Sequence, residues 1–359
     1  MKKILVVGMS DNIGGIETYF HNYYRYIDKE KYQFDFVTVC DTIAFADEYK
    51  ENGSKIISLP SFIKHPVRYY NEMRKIIRDN KYDVVHINML SAANVLPVKA
   101  ALAEKVSKVI VHSHNTDVPK GLIRKTLHSI NKKMLIKSEL TRLACSKMAG
   151  EWLFGSDSDF TVINDGIEID KFSFDLNSRK EIRKKYNIGD SDFLIGNVGR
   201  ICEQKNQTFL VDVLKKIENK NIKLMMVGDG DKKKIIVDKI RDYGLENRVV
   251  IVPTVLDVEK YYNAFDLFVL TSRFEGFGMV AVEAQANGLT CVLPDYLKET
   301  EIFSNQICLK IDDAEIWAEA IDSFFASNDK TRKDYSEHIK ACGFDPLREY
   351  KVFCGVYDG

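Results

Sequence analysis

Short runs of β-branched and aromatic residues, each followed by a longer stretch with apolar residues at helical spacing, repeat along this sequence, stop, and then start again. The first series is ILVV (4–7), FDFVTV (34–39), KIISL (55–59), DVVHI (83–87), KVIVHS (108–113) and LTRLACS (140–146). The second is FLIGNVG (193–199), IKLMMVG (222–228), VVIVP (249–253), LFVLTS (267–272) and TCVLP (290–294). Strands this apolar are buried on both faces, so each series predicts a parallel α/β sheet with helices covering both sides. FTVINDGIEIDKF (160–172) and the polar NSRKEIRKKYNIGDSD (177–192) separate the series, without a Ser/Gly-rich linker. The expectation is two doubly wound, Rossmann-like domains, 1–170 and 171–343, facing a central cleft that takes ligand where the strands' carboxyl ends meet. Residues 344–359 are expected to form a helix packing back toward the N-terminal domain.

With 359 residues, 45% hydrophobic and 29% charged, the chain is long enough for two separate cores. Lys plus Arg number 52 and Asp plus Glu 52, so no net charge points to nucleic acid. Seven scattered cysteines, with no C-x-x-C and no histidine cluster at zinc spacing, read as reduced and mostly buried thiols of a cytoplasmic protein. MKKILVVGMS carries too short an apolar run for a signal peptide, and no segment approaches the ~18 residues of a membrane span.

Three loops fall at the predicted carboxyl ends. In GMSDNIGGIE (8–17), Gly14 and Gly15 let a phosphate or sugar approach the backbone at a helix start, although the spacing is not G-x-G-x-x-G and a tight turn explains it equally well. GRICEQKNQTFL (199–210) sets Arg200 and Lys205 at the mouth of a helix, where two cations and the helix dipole suit a diphosphate. In SRFEGFGMVAVEAQANG (272–288), Glu275 lies on a loop beside Gly276, Phe277 and Gly278, and Glu283 lies over a turn into a helix closed by Gly288. A glycosidase pair needs carboxyls ~5 Å apart, whereas this spacing predicts roughly 10 Å. One extended ligand, held at one end by Glu275 and at the other by Glu283, fits better.

GRICEQKN, VGDGD (227–231), LFVLTSRFEGFGMVAVEAQANG and VINDGIEIDKF together resemble the signature set of the retaining, GT-B-fold glycosyltransferases of the large family four, also called glycosyl transferases group 1. The resemblance covers essentially the whole chain and is most specific over 193–301. KVIVHSHNT (108–116) and GFDPLREYKVFCGVY (343–357) resemble the subset that builds bacterial capsular polysaccharide and exopolysaccharide. The resemblance implies that Arg200 and Lys205 bind the donor diphosphate, that Glu275 and the amides of Gly276, Phe277 and Gly278 face the donor sugar, and that Glu283 binds the ribose. It places Gly14 and Gly15 near the phosphates and acceptor, and His114 beside the reacting sugar. It further implies a metal-independent, retaining hexosyl transfer with no cofactor beyond a nucleotide-sugar substrate, a UDP-sugar being favoured. Asn206 replaces a common glycine, Leu289-Thr290 a small residue and proline, and DYLKETEIF (295–303) lacks a glycine pair, although Glu299 matches an acidic position of the subset.

His112 and His114 lie on one face of a strand, and His86, at a strand end, reads as structural. In the expected mechanism the basic residues stabilise the leaving diphosphate, which itself takes the acceptor's proton, while closure of the two halves excludes water. KGLIRKTLHSINKKMLIKSELTR (120–142) carries Lys120, Arg124, Lys125, Lys132, Lys133, Lys137 and Arg142 against Glu139, with Ile123, Leu127, Ile130 and Met134 at helical spacing. Such a helix can rest on an anionic membrane, where polyprenyl-diphosphate-linked or other glycan acceptors occur, or be a solvated face over ordinary core. The expected location is the cytoplasm, at the inner face of the plasma membrane if that helix binds lipid. A sugar-nucleotide epimerase of the same fold, and an NAD-dependent oxidoreductase using Asp41, are the alternatives.

Overall fold

In the computed structural model, which describes residues 1–117, 121–297, 306–327, 329 and 331–358, the two apolar series form two separate parallel sheets. The strands are β1 (Lys2–Val7), β2 (Tyr32–Thr38), β3 (Ile56–Ser58), β4 (Val84–Met89), β5 (Lys108–Ser113), β6 (Thr141–Ala144) and β7 (Thr161–Val162). The second sheet comprises β8 (Phe193–Val198), β9 (Ile222–Val227), β10 (Val249–Val252), β11 (Leu267–Val269), β12 (Cys291–Pro294) and β13 (Gln306–Leu309). Their orders are β3-β2-β1-β4-β5-β6-β7 and β10-β9-β8-β11-β12-β13. In each, the chain reverses direction across the sheet once, at β1/β4 and at β8/β11. The loops leaving those strands therefore emerge side by side, which is where an open α/β sheet collects ligand-binding residues.

The chain divides into two compact units. The first is Met1–Gly166 with Glu275–Phe277 and Gly343–Gly359; the second is Ile167–Phe274 with Gly278–Cys342. In the first, Ile4 and Val6 of β1 face a core with Tyr19, Phe20 and Tyr23 of the helix Gly15–Tyr24 and Phe353 and Tyr357 of the helix Pro346–Asp358. Leu5 and Val7 face the opposite core, with Met73, Val98 and Leu153 from three further helices. This alternation makes an apolar run obligatory in β1, because neither face meets water. The C-terminal helix is tied down by Lys2 Nζ donating to Tyr357 O at 2.8 Å and by Tyr32 OH donating to Asp358 Oδ1 at 2.7 Å.

In the second unit, Ile195, Leu224, Val269 and Val292 pack beneath Leu210, Leu214 and Trp317. A buried ion network anchors the start of β8. Asp266 accepts from Arg179 Nη2 at 2.6 Å, Arg183 Nη1 at 3.2 Å and Leu194 N at 2.7 Å.

No cysteine forms a disulfide, and only Cys145 and Cys291 are buried. The other five are half-buried: Cys40, Cys202 and Cys342 in loops or at element ends, Cys308 in the edge strand β13, and Cys354 within the C-terminal helix. Among the described residues no helix is long and apolar enough to cross a membrane.

Candidate active site

In the second unit, the loop after β8 is built from close backbone contacts. Ile201 N donates to Asp229 O at 2.9 Å and Lys232 N to Ile201 O at 3.2 Å. Gly228 has φ +145°, and a Cβ there would stand 2.2 Å from Gly199 O, so only glycine fits. These contacts fix the backbone that carries Arg200, whose side chain is exposed. Gln207 Nε2 donates to Arg200 O at 3.0 Å. Lys205 is half-buried and its chain runs back over Gly199, its Cε 3.6 Å from where a Cβ on that glycine would be. Thr271, just past β11, donates through Oγ1 to the carbonyls of Lys205 and Asn206 at 3.1 and 3.2 Å. The helix Gln207–Lys216 then starts from Asn206, in the left-handed region at φ +54°, with no side-chain cap. Its first amides thus point into the basic loop, the setting in which a helix terminus attracts an anion.

Glu283 lies on the helix Met279–Ala286 and is half-buried. Tyr262 OH donates to its Oε2 at 2.6 Å. Burial pushes the carboxyl up to about 7, against the opposing pull of Tyr262 and the positive charge of Lys205. Lys205 and Glu283 are thus within electrostatic reach of each other.

In the first unit, the loop after β1 carries an acid that the sequence reading passed over. Glu17 is buried and accepts from Ser10 N at 2.7 Å and Ser10 Oγ at 2.9 Å. Burial raises its pKa and these hydrogen bonds oppose the rise. A Cβ on Gly14 would meet Glu17 Oε2 at 2.8 Å, whereas one on Gly15 would meet nothing within 4 Å.

The two histidines of β5 separate by depth. His112 is fully buried, its Nδ1 3.2 Å from His86 Nε2; His86 in turn lies 2.8 Å from Tyr357 OH and is structural. His114, just past the strand, is partly exposed and its ring lies tilted at 33° against His112, with ring centroids 4.1 Å apart. Burial, with a smaller push from His86, lowers His114 to about 3 and keeps it neutral. The segment Glu275–Phe277 belongs to this unit. Thr116 Oγ1 donates to Glu275 O at 2.6 Å, and Ser146 Oγ donates to Gly276 O. A Cβ on Gly276 would stand 2.5 Å from His114 O, so glycine alone lets the strap lie flat on His114. Glu275 is buried, and the Phe277 ring packs on Phe344 at 4.8 Å. Gly278, at φ +92°, opens the helix that bears Glu283.

The helix Leu122–Lys137 sends only part of its apolar residues into the core, which departs from the reading of a solvated face over an ordinary core stripe. Met134 packs toward the core, and Lys132 Nζ turns inward to Trp152 O. Arg142 closes the helix end, its Nη2 donating to Ile136 O at 2.9 Å and Ser138 O at 2.8 Å. Leu122 and Ile123 are 83% and 77% exposed, and Leu127 and Ile130 are exposed as well, beside exposed Arg124, Lys125, Lys133 and Lys137. Lys120 and Glu299 lie outside the described residues.

Two Rossmann-like units, each built on one parallel sheet, are the GT-B architecture. A family model for "Glycosyltransferase Family 4" matches residues 13–171 and one for "Glycosyl transferases group 1" matches 178–341, and the chain belongs to this family of glycosyltransferases. It is 29% identical over 371 residues to a Bacillus subtilis protein named "Putative glycosyltransferase EpsF", covering 99% of this chain and 96% of that one. It is 24% identical to an Escherichia coli UDP-Gal:alpha-D-GlcNAc-diphosphoundecaprenol alpha-1,3-galactosyltransferase over 73% of this chain and 71% of that one. Among solved structures, Anabaena HepE in complex with UDP-glucose superposes with a TM-score of 0.82 at 19% identity, over 100% of both chains. The family assignment favours neither the epimerase nor the oxidoreductase.

Proposed function

We propose that this glycosyltransferase moves a hexose from a uridine diphosphate sugar to a hydroxyl of a glycan or polyprenyl-diphosphate-linked acceptor in cell-surface polysaccharide synthesis, with retention of configuration and without a metal. What supports this reading is that Lys205 lies within electrostatic reach of Glu283 and next to an uncapped helix start: a cation for a diphosphate and a carboxylate for ribose hydroxyls, in one unit. The Escherichia coli relative's named UDP-Gal donor and lipid-linked acceptor support the choice of base and acceptor class.

Arg200, Lys205 and the amides of the helix Gln207–Lys216 offset charge as it grows on the leaving diphosphate, the term that usually lowers such a barrier most. Fixed cations do here what a metal does elsewhere. The departing phosphate oxygen takes the acceptor's proton, so no protein nucleophile is assigned. Glu275 and the amides of Gly276, Phe277 and Gly278 face the sugar, and His114, being neutral, offers that sugar a hydrogen bond rather than a charge. The buried Glu17 carboxylate beside Gly14 and Gly15 favours a hydroxyl-bearing acceptor over a second phosphate at that loop.

Lys205→Ala should reduce transfer by on the order of 100-fold with an unchanged melting temperature; turnover within a few-fold of wild type would refute the diphosphate role. We further propose that the helix Leu122–Lys137 rests on the anionic inner face of the plasma membrane, a reading supported by its exposed apolar row framed by four exposed cations. Co-sedimentation with phosphatidylglycerol vesicles should be lost in an Ile123→Ser/Ile130→Ser variant. Equal binding by that variant, or none by wild type at low salt, would refute the placement.

A further inference from the structure

We propose that His114, Cys145 and Asp165 form a binding site for a zinc-class divalent cation, and that its occupancy blocks transfer. The three residues lie just past the carboxyl ends of β5, β6 and β7, which are neighbours in the sheet. Their register sets Ser113 opposite Ala144, and Ala144 opposite Val162. Parallel strands in this register deliver His114 and Cys145, each one residue past its strand, to one level, and Asp165 follows three residues past β7. A ring nitrogen of His114, Sγ of Cys145 and a carboxylate oxygen of Asp165 all lie within 4.8 Å of one another.

The surroundings suit a metal better than a hydrogen-bonded core. Asn88 donates through Nδ2 to Val7 O at 3.3 Å, which orients its amide so that Oδ1 faces His114 Nε2 at 2.9 Å. His114 therefore donates its Nε2–H, and the other ring nitrogen keeps its lone pair. A histidine tethered in this way through one nitrogen is the usual partner arrangement of a metal ligand. Asp165 Oδ1 is buried with no hydrogen-bond partner, an uncommon and costly state that a cation would relieve. A nitrogen, a thiol sulfur and a carboxylate oxygen make a borderline-soft donor set, which selects zinc over magnesium or calcium. Zinc ligands sit about 2.0–2.3 Å from the ion, so the set must draw in slightly. His114 is partly exposed, while Cys145 lies beneath Gly276, whose added Cβ would stand 3.2 Å from its Sγ. Binding is proton-balanced: the Cys145 thiol releases its proton to solvent, as does Asp165 where it is protonated, and both lone pairs pass to the metal.

The block rests on the proposed placement of His114 beside the reacting sugar, because a metal-bound imidazole cannot also meet substrate. The site itself does not rest on it, and cobalt reads the two separately. The full chain, stripped with chelator and free of nucleotide, should bind one equivalent of Co²⁺ with a thiolate-to-cobalt charge-transfer band and tetrahedral ligand-field absorption. Zn²⁺ should bleach both. Cys145→Ser should lose the charge-transfer band, and Asp165→Asn should bind at least ~10-fold more weakly. The pair Cys342 and His338, with Sγ 3.9 Å from Nε2, is the control, and its double variant should keep the band. Absence of the band in wild type, or its persistence in Cys145→Ser, overturns the site. Zn²⁺ should also slow transfer reversibly in wild type and not in Cys145→Ser. A normal cobalt spectrum without inhibition keeps the site and overturns the block.

Discussion

Replacing Glu283 by glutamine separates the electrostatics of this residue from its shape. Its folded pKa of about 7 stands above the ordinary 4.5, so between those values the native state binds more protons than the unfolded chain. Stability from this residue is therefore fully present below pH 4.5 and is lost as pH rises through 7. At about 1.4 kcal/mol per pH unit, the loss is on the order of 3 kcal/mol. Glutamine can still accept from Tyr262 and does not titrate. Urea unfolding of both proteins at pH 5 and pH 8 gives a double difference in which other titrating groups cancel. The wild type should lose roughly 2.5 kcal/mol more than Glu283→Gln over that range, since part of the loss has already occurred at pH 5. The donor should respond in the opposite sense. An ionised Glu283 is the better acceptor for ribose hydroxyls, so the donor KM of wild type should fall between pH 6 and pH 8, while the variant shows a flat profile and a KM raised by roughly 10-fold or more. Equal pH dependence of stability in the two proteins would refute the burial argument, and a variant that keeps the wild-type KM profile would refute the ribose role.

Other perturbations test the frame around the site. Gly276→Ala puts a Cβ 2.5 Å from His114 O and 3.2 Å from Cys145 Sγ, so the Glu275 strap must lift; turnover should drop roughly 100-fold while UDP affinity measured by calorimetry stays the same. Gly228→Ala forces a residue with φ +145° against Gly199 O and should cost on the order of 3 kcal/mol in chemical unfolding, with donor affinity falling in parallel. Asp266→Asn leaves Arg179 and Arg183 without their shared countercharge in a buried setting, and should cost about 3–5 kcal/mol in the same assay. A loss below 1 kcal/mol would show that the carbonyls of residues 263–265, with those of Gly189 and Asp192, satisfy the two guanidinium groups without the countercharge.

The parts of this protein that could be read from sequence are those where one physical demand acts over consecutive residues. β1 and β8 are legible because burial on both faces leaves no choice but an apolar run. β7 escaped because it is two exposed residues paired only with β6, at the sheet's edge. β13 escaped as well, because an edge strand covered on fewer sides tolerates the half-exposed QICL. The same distinction holds in the candidate site. Arg200, Lys205 and Glu283 could be singled out because each follows a buried strand through a short loop. Their supports could not: Tyr262 reaches Glu283 from 21 residues away and Thr271 holds the Lys205 carbonyl from 66. Glu17 was passed over for a different reason, since a carboxylate in the first turn of a helix is ordinary by sequence and only its bend back to Ser10 marks it. Alternation along β5 put His112 and His114 on one face but could not rank them, because depth within a parallel sheet is set by what covers it. The helix Pro346–Asp358 buries Tyr357 against His86 and covers that end of the histidine row, which leaves His114, at the other end, as the partly exposed ring of the three.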